Sequence, residues 1–372
     1  MQTNNNLIIA NFKIMKILKN ISIGAFAVLL SGACNEGIDP ISRVDPGPDQ
    51  TAPVVTITYP LQGTRVQVTQ DVAPINIQFE ASDDIEVESI VVSLDGTQIA
   101  TFNDFKDYRR AIQTYTHETL ANGEHTLTVM ATDLSGKSTS TSVEFEKVPP
   151  YQPVFEGEVF YLPFDGDYME LISIKEATKV GSPAFTEVSV AGKSYAGAAD
   201  SYLTFPTTGI VNNEFSAVFW YNLNASPDRS GILTIGPPDP NLPATPNNRK
   251  NGFRFFREGS PANQTFKLNV GNGTADSWFD GGAAASLNPA TTDWVHLAFT
   301  ISDSEVVVYI NGEIVSQGSF NGVDWAGCDV LSIASGAPRF MEWNHLSDLS
   351  LYDELRLFNK ALTQEEVKAT ME

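Results

Sequence analysis

A chain of 372 residues, 42% of them hydrophobic, is long enough to build two sizeable cores. It carries 45 acidic residues against 23 Lys and Arg, a net charge of −22 at neutral pH. Such a surface repels polyanions, which excludes nucleic acid as a partner and admits an acidic polysaccharide only through a local Arg cluster.

In chain order, Met15 to Cys34 comes first, with a short basic stretch, an apolar run and small residues before a cysteine. The run Ile21 to Leu30 is too short to span a bilayer core of about 30 Å, so residues 1–33 are expected to be a removed signal. Residues 1–14 precede the basic stretch, which makes Met15 an alternative start to Met1. The segment Leu29-Leu-Ser-Gly-Ala-Cys34 resembles a bacterial lipobox, with Ser31 where Leu is usual and Leu30 one place earlier. That resemblance implies a lipid on Cys34 and anchoring at the outer-membrane surface. Only Cys328 would then remain, so no intrachain disulfide is expected. Loss of the signal removes three lysines and no acid, leaving 20 basic residues against 45 acidic and a charge near −25.

Residues 34–52, Pro- and Asp-rich with few apolar residues, are expected to be a flexible tether. Residues 53–148 read as a small all-β domain. Val55, Ile57 and Tyr59, then Ile75, Ile77, Phe79 and Ala81, then Ile90, Val92 and Leu94, recur at period two, and Asp95-Gly96 marks a hairpin turn. Leu127, Val129 and Ala131 share one face of the closing segment Asn122 to Gly136. The run Gly123-Glu-His-Thr-Leu-Thr-Val129 resembles bacterial immunoglobulin-like modules of surface proteins, which implies a spacer. His125 is expected on the strand surface. Ala131-Thr-Asp-Leu-Ser-Gly-Lys-Ser138 mimics a phosphate loop but lacks the first glycine and leads into a strand, so it is rejected.

Residues 149–158, opening Pro149-Pro150-Tyr-Gln-Pro153, are a stiff linker. Residues 159–372 show turn signals every 8 to 12 residues and no helical pattern before Thr363, which predicts a jelly-roll sandwich of two antiparallel sheets. Val306-Val-Val-Tyr-Ile-Asn-Gly312 is a strand ending in a two-residue hairpin turn. Thr363 with Glu366 predicts a capping box on one short terminal helix. Together with Leu351-Tyr-Asp-Glu-Leu-Arg-Leu-Phe358, these features resemble the laminin-G-like, concanavalin A-like lectin family. The expected fold class is therefore all-β, an Ig-like sandwich followed by a concanavalin A-like sandwich.

Strand parity locates candidate sites. In Phe215 to Asn222, Phe215, Ala217, Phe219 and Tyr221 make the better core face, which places Trp220 and Asn222 outside. Pyranose CH faces stack on exposed indoles, while their hydroxyls take amides, guanidinium groups and carboxylates. Arg254 and Phe256, opposite in parity to Phe253 and Phe255, are expected nearby, with Trp278, Trp325, Trp343, Asn344 and His345 added from loops. For any single Trp the competing reading is a packed, inert ring. The resemblance further implies a structural Ca²⁺ on Asp165, Asp167 and Asp353, if the first and last strands are neighbours; turn-forming aspartates are the alternative.

Catalysis finds little support, because the Glu-x-Asp-x-x-Glu pattern of sandwich glucanases, a Gly-x-Ser-x-Gly elbow and a His-Glu-x-x-His motif are all absent, and the adjacent Asp353 and Glu354 point to opposite faces. An enzyme, such as a lyase using a Tyr and a His or Arg, is the minority reading. The layout resembles accessory glycan-binding lipoproteins that work beside outer-membrane transporters and bind poly- or oligosaccharide. An adhesin that binds protein or partner cells is the alternative.

Overall fold

The structure, a computed structural model, describes residues 47–372. The expected signal, Cys34 and most of the tether lie outside the described residues. Among those described, no helix is long and apolar enough to cross a membrane.

The N-terminal domain is a two-sheet sandwich. Val54–Tyr59, Ala73–Ser82 and Arg110–Leu120 form one antiparallel sheet. The other runs Arg65–Val66, Ser138–Lys147, Gly123–Asp133, Val87–Leu94, Thr97–Phe102, with its first pair parallel. Alternation explains the core. Val55, Ile57, Ile75, Ile77, Phe79, Ala81, Ile90, Val92, Leu127, Val129 and Ala131 are buried between the sheets, each large side chain contributing about 1.5–3 kcal/mol. Asp95 and Gly96, both at positive φ, close the predicted hairpin. His125 departs from expectation: it is buried against Phe145, with Nδ1 2.8 Å from Asp95 and Nε2 2.8 Å from the Ala121 carbonyl. Its position in the strand has inward parity, like Leu127 and Val129, and the two partners satisfy the ring.

The C-terminal domain is a larger sandwich of two eight-stranded sheets. One sheet runs Ala184–Thr186, Ser194–Ala196, Leu351–Phe358, Phe215–Asn222, Trp294–Ile301, Glu305–Ile310, Glu313–Ser319, and Glu158–Leu162 also pairs with Leu351–Phe358, so the first and last strands are neighbours. The other runs Thr178–Val180, Tyr202–Pro206, Val330–Ile333, Arg229–Ile235, Phe253–Ser260, Asn263–Gly271, Asp276–Asp280, with Ser286–Leu287 alongside Asn263–Gly271. Phe215, Phe219, Phe253, Phe255, Phe266, Leu268, Phe299 and Leu357 fill the space between them. Asn311 and Gly312 take positive φ at the hairpin tip. The helix Gln364–Ala369 carries the predicted capping box between Thr363 and Glu366.

That helix lies on the outer face of the first sheet, where Val218, Ala298, Val307, Tyr309, Phe358, Leu362 and Val367 make a separate apolar cluster with Phe155. The outer face of the second sheet is crossed by a strap, residues 334–350, held by Gly231 N to Leu346 O at 3.1 Å and by a bridge between Asn247 and Phe340. The strap approaches so closely that a Cβ on Gly231 would lie 2.0 Å from the Gly336 nitrogen. Only glycine fits there.

Candidate functional site

On the strap-side sheet, Phe253, Phe255 and Arg257 point inward, while Arg254, Phe256 and Glu258 point outward. The register carries this row sideways from Arg254 to Asn269 and on to Trp278. The strap adds Phe340, Trp343 and His345. The result is an aromatic cluster: Phe256 meets His345 at 4.5 Å, Phe340 at 5.2 Å and Trp278 at 6.0 Å between ring centroids, and Trp278 and Trp343 stack at 5.8 Å and 27°. Arg249 lies over both indoles, 4.9 Å from Trp343 and 5.7 Å from Trp278. Phe256 and His345 are buried as the floor, whereas Trp278 is 42% exposed. Asn344, exposed and at positive φ, turns the strap beside Trp343.

Beside the indoles runs a groove of about 390 Å³ lined by Arg229, Glu258, Thr265, Lys267 and Asp280. Lys267 Nζ bridges Glu258 at 3.1 Å and Asp280 at 2.9 Å. Burial raises the Glu258 carboxyl, but the hydrogen bond and charge of Lys267, with His345 and Arg229, outweigh it and hold it below the usual range. Asp280 is likewise held low, burial being outweighed by Lys267 and the Gly282 amide. Burial pushes His345 down to about 4, so the ring is neutral at physiological pH and sits 3.2 Å from Glu258 through Nε2. Its Nδ1 is buried without a partner.

Beneath this face a polar knot fixes the strap. Arg257 Nη2 meets Asp348 Oδ1 at 2.7 Å, both fully buried. The Tyr221 and Tyr352 hydroxyls each donate to Asp348 Oδ2 at 2.6 Å, and Arg257 Nη1 donates to Gln264 Oε1 at 2.6 Å. Asp348 is thus a core anchor for the strap.

The expected site residues divide. Phe256, Trp278, Trp343, Asn344 and His345 come together on or beside this face. Arg254 does not line it: it is fully buried, donating to the carbonyls of Asn248 and Asn251, because the loop before Gly252 folds over it. Trp325 packs against Phe215 and Phe253 at the core edge and donates to Asn212 O at 2.7 Å. Trp220 and Asn222 have the expected parity but belong to the helix-side sheet, so they are not near Phe256. Half-buried Trp220 packs edge-on against His296 at 5.3 Å, and His296 reaches Thr370 beyond the terminal helix at 3.2 Å. Asn222 lines a separate depression of about 720 Å³ with Asn224, Ser226 and Pro289, which no aromatic ring lines. Arg249, Glu258, Lys267 and Asp280 were missed. Glu258 shares the parity of Phe256 and was open to the same argument; Arg249 sits in a Pro- and Asn-rich loop with no periodic signal.

The three calcium candidates also divide. Asp165 Oδ1 accepts the Lys193 amide at 2.8 Å, and Asp353 Oδ2 accepts the Val190 and Ala191 amides at 2.7 and 3.1 Å, so both hold one turn. Asp167 instead closes its own turn on the Met169 amide at 2.9 Å. Among the described residues no three His, Cys, Asp or Glu side chains gather at metal-binding distance. Asp353 Oδ1 is buried without a partner, and burial pushes this carboxyl up to about 7 despite the two amides. A cation beside Asp353 and Asp165 would supply the missing charge there.

Residues 197–368 match the concanavalin A-like lectin/glucanases superfamily, and residues 53–129 match the bacterial Ig domain. No match is found among curated proteins. Similar solved structures include domain 4 of AbnA, a GH43 extracellular arabinanase from Geobacillus stearothermophilus, in complex with arabinotriose, at 21% identity and TM-score 0.44 over 58% of this chain and 98% of that one. The binding domain of Paraclostridial Mosquitocidal Protein 1 shares 13% identity at TM-score 0.42 over 57% of this chain and 51% of its own. The ligand binding domain of botulinum neurotoxin serotype D, in complex with N-acetylneuraminic acid, shares 12% at 0.39 over 57% and 50%.

Proposed function

We propose, for a chain in which a bacterial Ig domain is followed by a concanavalin A-like lectin domain, that the first domain is a spacer and the second binds saccharide on its strap-side face. The observation that carries this reading is Trp278, an exposed indole beside Trp343 and Arg249 at the edge of a charge-lined groove. The CH face of a sugar would cover apolar surface that the chain leaves in water, while Glu258, Lys267 and Asp280 offer acceptors and donors to its hydroxyls. Glu258 and Asp280 are both held ionised by Lys267, so neither is the protonated acid that glycoside hydrolysis requires.

Adhesion to a glycan-bearing surface needs only this domain and its stalk. Capture of free glycan for an outer-membrane transporter is the narrower form of the proposal and adds lipid anchoring through Cys34. Glycan-array and affinity-gel screening of the ectodomain from residue 35 tests the first part: retention that is lost in Trp278→Ala supports it, and binding to cells or protein with no glycan retained favours a protein-binding adhesin. Membrane fractionation tests the second. Cys34→Ala should move the protein from the pellet to the soluble fraction, and a protein still pelleted overturns the anchor.

A further inference from the structure

Lys147 ends the last strand of the Ig-like domain, is fully buried, and touches three oxygens of which none is a carboxylate. Its Nζ donates to Gln70 O at 2.7 Å, Asp71 O at 3.1 Å and Asn122 Oδ1 at 2.5 Å. The same Asn122 carboxamide donates from Nδ2 to Asp71 Oδ1 at 3.0 Å. The Asn122 carboxamide therefore bridges an amine on one side and a carboxylate on the other, the three drawn from distant points of the chain. Residues 53–148 contain no cysteine, so this sandwich has no disulfide to close it.

We propose that Lys147 and Asn122 are joined in the folded domain by an isopeptide bond, formed by the chain itself with Asp71 as the catalytic carboxylate. After Nζ gives one proton to solvent, the amine attacks Asn122 Cγ, whose carbonyl oxygen it already contacts. Asp71 takes the proton released by the attacking nitrogen and delivers it to Nδ2, which it already holds. The Cγ–Nδ2 bond breaks with its electron pair going to the leaving nitrogen, and ammonia departs. One amide replaces another, so no oxidant or co-reactant is needed. Folding supplies the proximity that free Lys and Asn side chains lack in water.

The bond would sit where the domain hands over to the linker. It ties the exit strand Ser138–Lys147 to the turn before Gly123–Asp133, closing a loop much as a disulfide would and restricting the unfolded chain. Pulling on the C-terminal domain would load this covalent tie before the strand's hydrogen bonds.

The test is intact mass and peptide mapping of the folded full-length protein. The expected result is a mass lower by one ammonia and a branched peptide containing both Asn122 and Lys147. Asn122-Gly123 can also lose ammonia by forming a succinimide, so mass alone does not decide; hydroxylamine cleaves the succinimide and leaves the isopeptide intact. Lys147→Arg and Asn122→Ala should each restore the full mass and lower the melting temperature of the Ig-like domain. If either fails to fold, Asp71→Asn, a change in an exposed loop residue, should keep the fold and leave the pair unjoined. A folded wild-type protein without the branched peptide, or with ammonia loss confined to a hydroxylamine-sensitive linear peptide, overturns the proposal.

Discussion

The two outer faces of the C-terminal sandwich are built from strands of the same alternating kind and end differently. Around Val218 and Phe358 the terminal helix and Phe155 cover the sheet with apolar side chains, and half-buried Trp220 at the margin packs on His296. Around Phe256 the cover is a strap whose contacts are aromatic and polar, and Trp278 stays in solvent. An outward-pointing Trp is therefore not yet a binding residue. What covers the face decides whether it packs or waits for a ligand.

The sharpest way to break the strap-side face is Asp348→Asn. It leaves Arg257 charged and buried without its counter-ion, a change worth about 3–5 kcal/mol. Chemical denaturation should show that loss in the C-terminal transition, and Arg257→Met combined with Asp348→Leu should cost less. A single variant as stable as wild type would show that the knot does not hold the strap.

Acid should act on both faces over one window, because burial holds His345 as well as His296 at about 4. Burial holds His296 at about 4 in the folded state against about 6.5 unfolded. A depressed histidine contributes stability that is present above about 6.5 and lost as pH falls through about 4, a span worth up to about 3 kcal/mol. The melting temperature of the C-terminal domain should drop across that window, and His296→Gln should lessen the drop while His345 carries the remainder; an equal drop in both proteins would assign it to other groups.

Calcium would bear on the edge of the helix-side sheet, where Asp353 and Asp165 hold one turn. At a hundredfold excess over its dissociation constant it should add about 2.7 kcal/mol by mass action. Chelation should lower the melting temperature, and an Asp353→Asn protein should not respond. A wild-type melt unaffected by chelator counts against the site.

The two tryptophans compare the faces directly. Trp278→Ala should weaken glycan binding about tenfold, roughly 1–2 kcal/mol, with an unchanged melt. Trp220→Ala should cost about 2 kcal/mol of stability and leave binding unaltered. Reversed outcomes would move the site to the helix-side face.

Period-two alternation, the Asn311-Gly312 and Asp95-Gly96 turns and the Thr363 capping box are local, and each can be read from a few adjacent residues, so the sequence by itself determined both sandwiches and the inward faces around Phe79, Val92, Val129 and Phe219, though not the inward place of His125. It also determined that Trp220 and Phe256 point away from the core, since parity is set within a single strand; Trp278, expected on a loop, lies instead on the strand Asp276–Asp280. Tertiary structure alone decided which sheet each strand joins, because register and strand order come from pairings far apart in sequence. It likewise decided that Arg254 is buried, that Asp348 is an anchor, and that Lys147, Asn122 and Asp71 meet. Those outcomes depend on where long loops come to rest, and a loop without periodicity carries no local signal of what it will cover.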